Sequence, residues 1–407
     1  MTYWNPKLYN LMLVALRILT WFAIGATVAV AVLERLSNAD VKIWDDAYMF
    51  IRYADHILSN GHVLWNIEAS PTYGSTSLLY LPIVSGMRLI FPDNPALAAF
   101  FSSLTCGAAF LITIALLLEL TVKASSAIKL AQTVFVFGGI LASRTSLAIH
   151  FESGMDTCFA MTYLGLVILV AVIWARSKTV FWAGTMVVLA GLTYYARPDL
   201  TLYGLSIPLC MYWLNRRTSW ARHAFLVFLG TIGLISIQMI GAWFYFGTPI
   251  PLSFYAKNMR LYSDTIHYFY QLTPFEQFNI YLSDSWVFFL GSIATLLFTT
   301  HRRHQEIDPV IVALLLSTTV FIAYYLFFVL QIMAYNARYY YPTYPALVFL
   351  GVMGLSKFAQ TVVTRFPRYF PQSVRAVSAG MVIAVSLIIV GWSAIEVVSN
   401  AAQVRNT

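Results

Sequence analysis

The chain has 407 residues, of which 59% are hydrophobic and only 10% charged, whereas a soluble domain carries about 25% charged residues. A mean hydropathy of +0.72 excludes an ordinary soluble protein and identifies an all-α polytopic membrane protein. The formal net charge of +8 is scattered between apolar segments and forms no basic patch, so it implies membrane topology and no nucleic acid partner.

The first apolar run, "LMLVALRILTWFAIGATVAVAVL" at 11–33, contains an Ala29-Val30-Ala31 stretch that imitates a cleavage site. It outruns a signal peptide's apolar region of roughly 7–15 residues, so it reads as a retained span. Further runs able to cross about 30 Å of hydrocarbon fall at 96–120, 128–149, 158–175, 179–195, 200–214, 223–246, 285–300, 309–330, 343–360 and 376–398, making about eleven spans. The segment "TSLLYLPIVSGMRLIF" at 76–91 is shorter and carries Pro82, Gly86 and Arg88, so it reads as a helix lying in or dipping into the outer interface. With the N-terminus inside, 15 of the 25 Lys and Arg fall on the cytoplasmic side, with only Glu119, Glu306 and Asp308 of the 17 acids. Counting 76–91 as a span would put the basic loop "NRRTSWARH" outside, against the positive-inside rule. The whole of 1–407 then reads as one transmembrane domain with two long exoplasmic stretches, 34–95 and 247–284. Both are rich in aromatics, which disfavours disorder and places any chemistry on the outer face. No internal repeat of transporter type is visible. Cys106, Cys158 and Cys210 lie far apart in apolar runs, as packing residues and not as a disulfide or zinc framework.

The first loop opens with "KIWDDAYMFIRYADHILSNGHVLWN" at 42–66. Its pattern predicts a helix from Asp46 to about Ser59, with Asp45 or Asp46 as N-cap and Asn60-Gly61 as the stop. Ala47, Phe50, Ile51, Ala54, Ile57 and Leu58 form an apolar stripe, as on a helix lying on a membrane surface. One aspartate suffices for a cap; the second is either redundant or functional. More ionisable residues recur at the outer ends of later spans: Glu152 and Asp156 in "HFESGMDT", Arg197 and Asp199 in "YARPDL", Lys257 and Arg260 in "YFGTPIPLSFYAKNMR", and Arg338 in "YNARYYYPTYP". Each alone is equally an ordinary loop charge, but charge at membrane depth is costly, and several on one side point to a shared polar cavity. Adjacent carboxylates can act as a general base, bind a divalent cation or stabilise positive charge, and Lys257, Arg197 and Arg338 suit a phosphate. Trp44, Trp65, Tyr73, Tyr255 and Tyr340 can stack on sugar rings or form an interfacial belt. A lipid-linked sugar phosphate would use all three features.

The blocks "DDAYMFIRYADHILSNGHVLWN", "TYGSTSLLY", "SGMDT", "ARPD", "FGTPIPLSFYAKN" and "ARYYYP", in that order over most of the chain, resemble the GT-C-type membrane glycosyltransferases, in particular the arabinofuranosyltransferase-like branch that uses polyprenyl-phosphate sugars. The first and fifth blocks carry most of the likeness. The resemblance implies a bacterial inner (plasma) membrane enzyme with its active site facing the periplasm, a polyprenyl-phosphate sugar as donor, membrane lipids around it, and a glycan or protein acceptor. It maps the family's catalytic carboxylate onto Asp45, with Asp46 as supporting acid or alternative base, and the donor phosphate onto Lys257, Arg197 and Arg338. Glu152, Asp156 and Asp199 would orient sugar hydroxyls, and His62, Tyr73, Tyr255, Asn258 and Tyr340 complete the candidate sugar and acceptor contacts. A divalent metal is left unassigned. Relatives in that branch carry a C-terminal soluble domain, whereas this sequence stops after "SAIEVVSNAAQVRNT", so acceptor recognition is expected from the loops, for an acceptor such as an O-antigen, another envelope glycan or a surface protein such as a pilin. The alternatives are a flippase for the lipid-linked sugar and a non-enzymatic subunit of a glycan-assembly complex.

Overall fold

The computed structural model describes residues 6–38, 43–66, 70–121, 126–258, 273–300, 308–329 and 335–365. Among the described residues there is no strand, and the α-helices run α1 Pro6–Asn38, α2 Ala47–Asn60, α3 Leu81–Ile90, α4 Pro95–Thr121, α5 Ser126–Ala142, α6 Arg144–Glu152, α7 Thr157–Ser177, α8 Val180–Gly191, α9 Thr193–Ala196, α10 Thr201–Leu214, α11 Ala221–Phe246, α12 Leu252–Asn258, α13 Pro274–Thr300, α14 Pro309–Phe327 and α15 Tyr344–Arg365. Backbone groups in hydrocarbon must be paired within their own segment, which is why so apolar a chain folds as helices.

Six of these helices, α1, α4, α7, α11, α13 and α14, are long and apolar enough by themselves to cross a membrane. The expected span at 128–149 is instead a bent pair, α5 and α6, meeting at 72°. The bend falls at Ser143, whose hydroxyl turns back on the Gly139 carbonyl at 3.0 Å and meets the Tyr344 hydroxyl at 2.6 Å, the kind of side-chain competition that breaks a helix. The expected 179–195 span is α8 followed by the single turn α9, and the 200–214 segment is the 14-residue α10 with Pro208 inside. The expected 285–300 span starts earlier, at Pro274. The expected final span, 376–398, lies outside the described residues.

α7 is the central helix: it is buried along most of its length and packs on α4, α8 and the 3₁₀ turn Tyr341–Thr343. α11 lies at the periphery and exposes Leu226, Ile237, Ile240, Trp243 and Phe244, an apolar outer face suited to lipid. The segment at 76–91 forms a 3₁₀ turn and then α3, ten residues long. At 1.5 Å per residue that is about 15 Å, half of what a span needs. Arg88 of α3 pairs with Asp55 of α2 at 2.7 Å. The predicted stripe on α2 forms, but it faces protein: Ala47, Phe50, Ile51 and Ala54 are buried, with Tyr53, as α2 packs on α3 and α4. Burial against neighbouring helices replaces the expected membrane-surface contact, leaving only Leu58 exposed at the far end.

The charges separate along the helices. α7 runs from Asp156 to Arg176 and Lys178, and α10 from Arg197 and Asp199 to Arg216 and Arg217. Since α7 has 21 residues, its two ends stand about 30 Å apart, with the carboxylates at one end and the basic loops at the other.

Candidate functional site

At the carboxylate end the described residues enclose a cavity of about 580 Å³ with a polar side made by Asp46, Asp156, Arg197, Asp199 and Arg338. Four separate loops deliver these side chains, and the local sequence explains each.

Asp46 stands at the N-cap position of α2 but makes no capping hydrogen bond. Its carboxylate accepts instead from Arg338, Nη2 to Oδ2 at 2.7 Å. Asp45 accepts from the Asp46 backbone N–H at 2.9 Å, is exposed and does not line the cavity. The helix stops at Asn60, with Gly61 in the left-handed conformation at φ 72°.

Asp156 holds the equivalent place before α7, again without a capping bond. It accepts from the Ser77 hydroxyl and lies 3.8 Å from Arg197 Nη1. The preceding Gly154 has φ +74°, and a Cβ there would stand 2.9 Å from Ala99 Cβ and 3.0 Å from Ala47 Cβ. Only glycine permits both that conformation and that approach, which seats Asp156 beside the start of α2. The Trp44 N–H donates to the Ser153 carbonyl at 3.3 Å and the Tyr80 hydroxyl to the Gly154 carbonyl at 3.1 Å.

Arg197 is extended, as a residue before proline must be, and Pro198 opens a short 3₁₀ turn that carries Asp199 back to it. The pair is bidentate: Nε to Oδ1 at 3.2 Å and Nη2 to Oδ2 at 2.7 Å. The Tyr325 hydroxyl adds a third bond to Asp199 at 2.6 Å. Burial works against the Arg197 charge, but Asp199 and Asp156 outweigh it and hold the guanidinium well above the ordinary arginine range.

Arg338 follows two non-glycine residues with positive φ, Asn336 at 46° and Ala337 at 58°, a left-handed turn that costs about 1–3 kcal/mol per residue. Ala337 is pinned there by donating to Gln277 Oε1 at 2.8 Å, and His150 Nε2 lies 3.1 Å from the Asn336 carbonyl. The guanidinium lies over the Trp44 and Tyr339 rings at 5.7 and 5.1 Å. Burial is opposed by Tyr339 and Asp46, which raise its pKa. Its Nη1 is buried, with no hydrogen-bond partner among the described residues.

The rest of the cavity lining is largely apolar, with Met49, Phe50, Leu202, Phe254, Val320 and Phe321, of which Phe254 and Val320 are exposed.

The remaining expected site residues whose side chains are described do not line this cavity. Glu152 is buried and paired with Arg35 of α1 at 2.5 Å. His62 is exposed in the turn after α2. Tyr73 is buried and stacked on Phe246, with ring centroids 4.6 Å apart. Tyr340 is fully buried among Phe278, Tyr281 and Tyr325, and its hydroxyl donates to the Pro274 carbonyl at 3.2 Å, while its neighbour Tyr339 lines the cavity. Tyr255 is half-buried on α12, whose Ser253, Phe254 and Ala256 line the cavity in its stead. Lys257 and Asn258 close α12, their side chains falling outside the described residues. Among the described residues, no group of three or more His, Cys, Asp or Glu side chains comes together as a metal site. Ser77, His150, Tyr325 and Gln277 support the site and are not among the residues expected from the sequence; Ser77 lies inside the "TYGSTSLLY" block and His150 opens "HFESGMDT", while Tyr325 and Gln277 carry no local signal.

No family model matches the chain, and no curated protein matches it. Among solved structures it is similar to ArnT from Cupriavidus metallidurans bound to undecaprenyl phosphate, with a TM-score of 0.53 at 10% identity over 96% of this chain and 72% of that one. The apo state of the same protein gives a TM-score of 0.53 at 12% identity, over 96% and 71% of the two chains. At such low identity the likeness establishes the fold: a multi-pass membrane protein with the GT-C fold of ArnT.

Proposed function

We propose that the chain is a membrane glycosyltransferase that moves a sugar, a pentose such as arabinofuranose or a hexose, from a polyprenyl phosphate to a glycan or protein acceptor, in a bacterial inner membrane with the cavity facing the periplasm. The observation that carries this reading is a carboxylate and a guanidinium, Asp46 and Arg338, paired in the lining of a cavity that is otherwise largely apolar and includes the exposed Phe254 and Val320. Such a cavity suits a phosphate head at the guanidinium and a prenyl chain along the apolar lining.

In this reading Asp46, not Asp45, is the general base. The acceptor O–H gives its proton to the Asp46 carboxylate while its oxygen bonds to the anomeric carbon. The anomeric C–O bond to phosphate breaks, and its electron pair leaves with the polyprenyl phosphate. A phosphate leaving group needs charge stabilisation more than a proton, and the Arg338 guanidinium supplies it. By its position on α12, Lys257 is assigned to the same phosphate. Arg197, bound on two sides by Asp199 and Asp156, holds those carboxylates for the sugar hydroxyls. The arginines thus separate into one that binds substrate and one that organises the site.

The full chain, purified and returned to liposomes with pentosyl and hexosyl polyprenyl phosphates, should release polyprenyl phosphate in the presence of envelope acceptors. Asp46→Asn, whose amide oxygen can still accept from Arg338, should lower that rate about 10²- to 10⁴-fold, measured below the variant's own unfolding midpoint in detergent. No turnover of any such donor, or an undiminished rate in Asp46→Asn, would overturn the assignment.

A further inference from the structure

Arg197 and Arg338 differ in what they have left to give. Arg197 has donors directed at two carboxylates and is fixed. Arg338, which lines the cavity, holds its one carboxylate through Nη2 alone, its side chain is only 7% exposed, and its buried Nη1 has no hydrogen-bond partner among the described residues. Planar recognition of a phosphate uses two guanidinium nitrogens at once. Nη2 already donates to Asp46 at 2.7 Å and to the Tyr339 hydroxyl at 3.3 Å, so a phosphate taking the Nη1–Nη2 edge must displace one of them. A tyrosine hydroxyl can rotate and donate to the incoming oxygen. A carboxylate can only repel it.

We propose that the Asp46–Arg338 ion pair is a latch opened by the donor: the phosphate of the lipid-linked sugar takes Arg338 from Asp46, and the freed carboxylate becomes available to the acceptor hydroxyl. The proposal rests on the polyprenyl-phosphate reading above and adds regulation to it, because the base is neutralised by its own arginine until a donor is in place. It fixes an order of events, donor before acceptor deprotonation. It also makes Asp46 a competitor for phosphate binding as well as the base.

The test is the affinity of farnesyl phosphate for the full chain in detergent, measured by calorimetry. Asp46 is one-third exposed, so Asp46→Asn and Asp46→Ser both serve, each titrated well below its own unfolding midpoint, which the loss of Arg338's carboxylate is expected to lower. Each should bind farnesyl phosphate about three- to fivefold more tightly than the wild type, the loss of a competing pair of about 0.7–1 kcal/mol. Asp45→Asn removes the same charge one residue away, outside the cavity lining, and should leave the affinity unchanged. Equal tightening in Asp45→Asn would reduce the effect to general charge repulsion, and unchanged or weaker binding in the Asp46 variants would remove the competition; either overturns the latch while leaving a phosphate site. If farnesyl phosphate fails to bind even the wild type, the polyprenyl-phosphate reading falls and takes the latch with it.

Discussion

Ion pairs stand at both ends of this helix bundle, and they are built differently. At the basic end, Glu119 accepts from Arg17 Nε at 2.9 Å through one carboxylate oxygen and faces Lys129 Nζ at 3.3 Å with the other. Lys129 also donates to the Glu119 carbonyl at 2.7 Å, a cation on the last turn of α4, where the helix dipole favours it. Both oxygens of that carboxylate are engaged, and the cluster ties α1, α4 and α5 together. At the cavity end the carboxylates of Asp46, Asp156 and Asp199 meet two guanidiniums around a cavity of about 580 Å³, and one guanidinium nitrogen is left over. Charge by itself does not distinguish a site from a clamp; a cavity lined by the paired groups does.

That contrast breaks most visibly if Arg197, one of the two buried arginines lining the cavity, is removed. Arg197→Gln leaves Asp156 and Asp199 facing each other without their shared cation, and uncompensated buried charge costs about 3–5 kcal/mol. The expected outcome is a large fall in the unfolding midpoint in detergent. Arg197→Lys should recover only part of it, because a point charge cannot reproduce the bidentate contact with Asp199. A midpoint unchanged in Arg197→Gln would mean that Arg197 is no more structural than a surface charge. A smaller effect is expected one loop away: Gly154→Ala places a Cβ against Ala99 and Ala47 at a φ of +74° and should cost about 1–3 kcal/mol. Because Gly154 seats Asp156, this variant should also weaken prenyl-phosphate binding. Lowered stability with intact binding would uncouple that turn from the cavity.

Much of this arrangement was legible in the sequence, and the parts that were not have a common cause. The convergence of Asp46, Asp156, Arg197, Asp199 and Arg338 follows from polar groups at the same ends of apolar helices, where burial charges a penalty that only mutual pairing offsets. The ends of elements could be read as well: Gly61 closes α2 at the predicted Asn60-Gly61 stop. Rotation could not. Adjacent residues at a helix start differ by about 100° around its axis, so "WDDAYMF" does not say which aspartate faces inward, and the turn leaves Asp45 exposed. The same holds in "ARYYYP", where the left-handed turn at Asn336 and Ala337 directs Tyr339 to the cavity and Tyr340 into the core. The bend at Ser143 is hidden for another reason: the polar run Ser143-Arg144-Thr145-Ser146 breaks the apolar pattern there, but the hydroxyl contact that goes with the bend is to Tyr344, 201 residues away.

The smallest effect is expected at the basic end, and it sharpens the comparison by being small. Glu119→Gln removes the charge that joins Arg17 and Lys129, but the pairs are partly exposed, with 29% of the glutamate side chain accessible, and such pairs contribute about 0–1 kcal/mol. Lys129 keeps its bond to the Glu119 carbonyl, so the helix end stays capped. The midpoint in detergent should fall slightly, further at low salt than at high salt because exposed charges are screened, and farnesyl phosphate affinity should match the wild type. An equal loss of binding in Glu119→Gln would mean that the two ends, about 30 Å apart along α7, act as one electrostatic unit, and that the cavity is not what separates them.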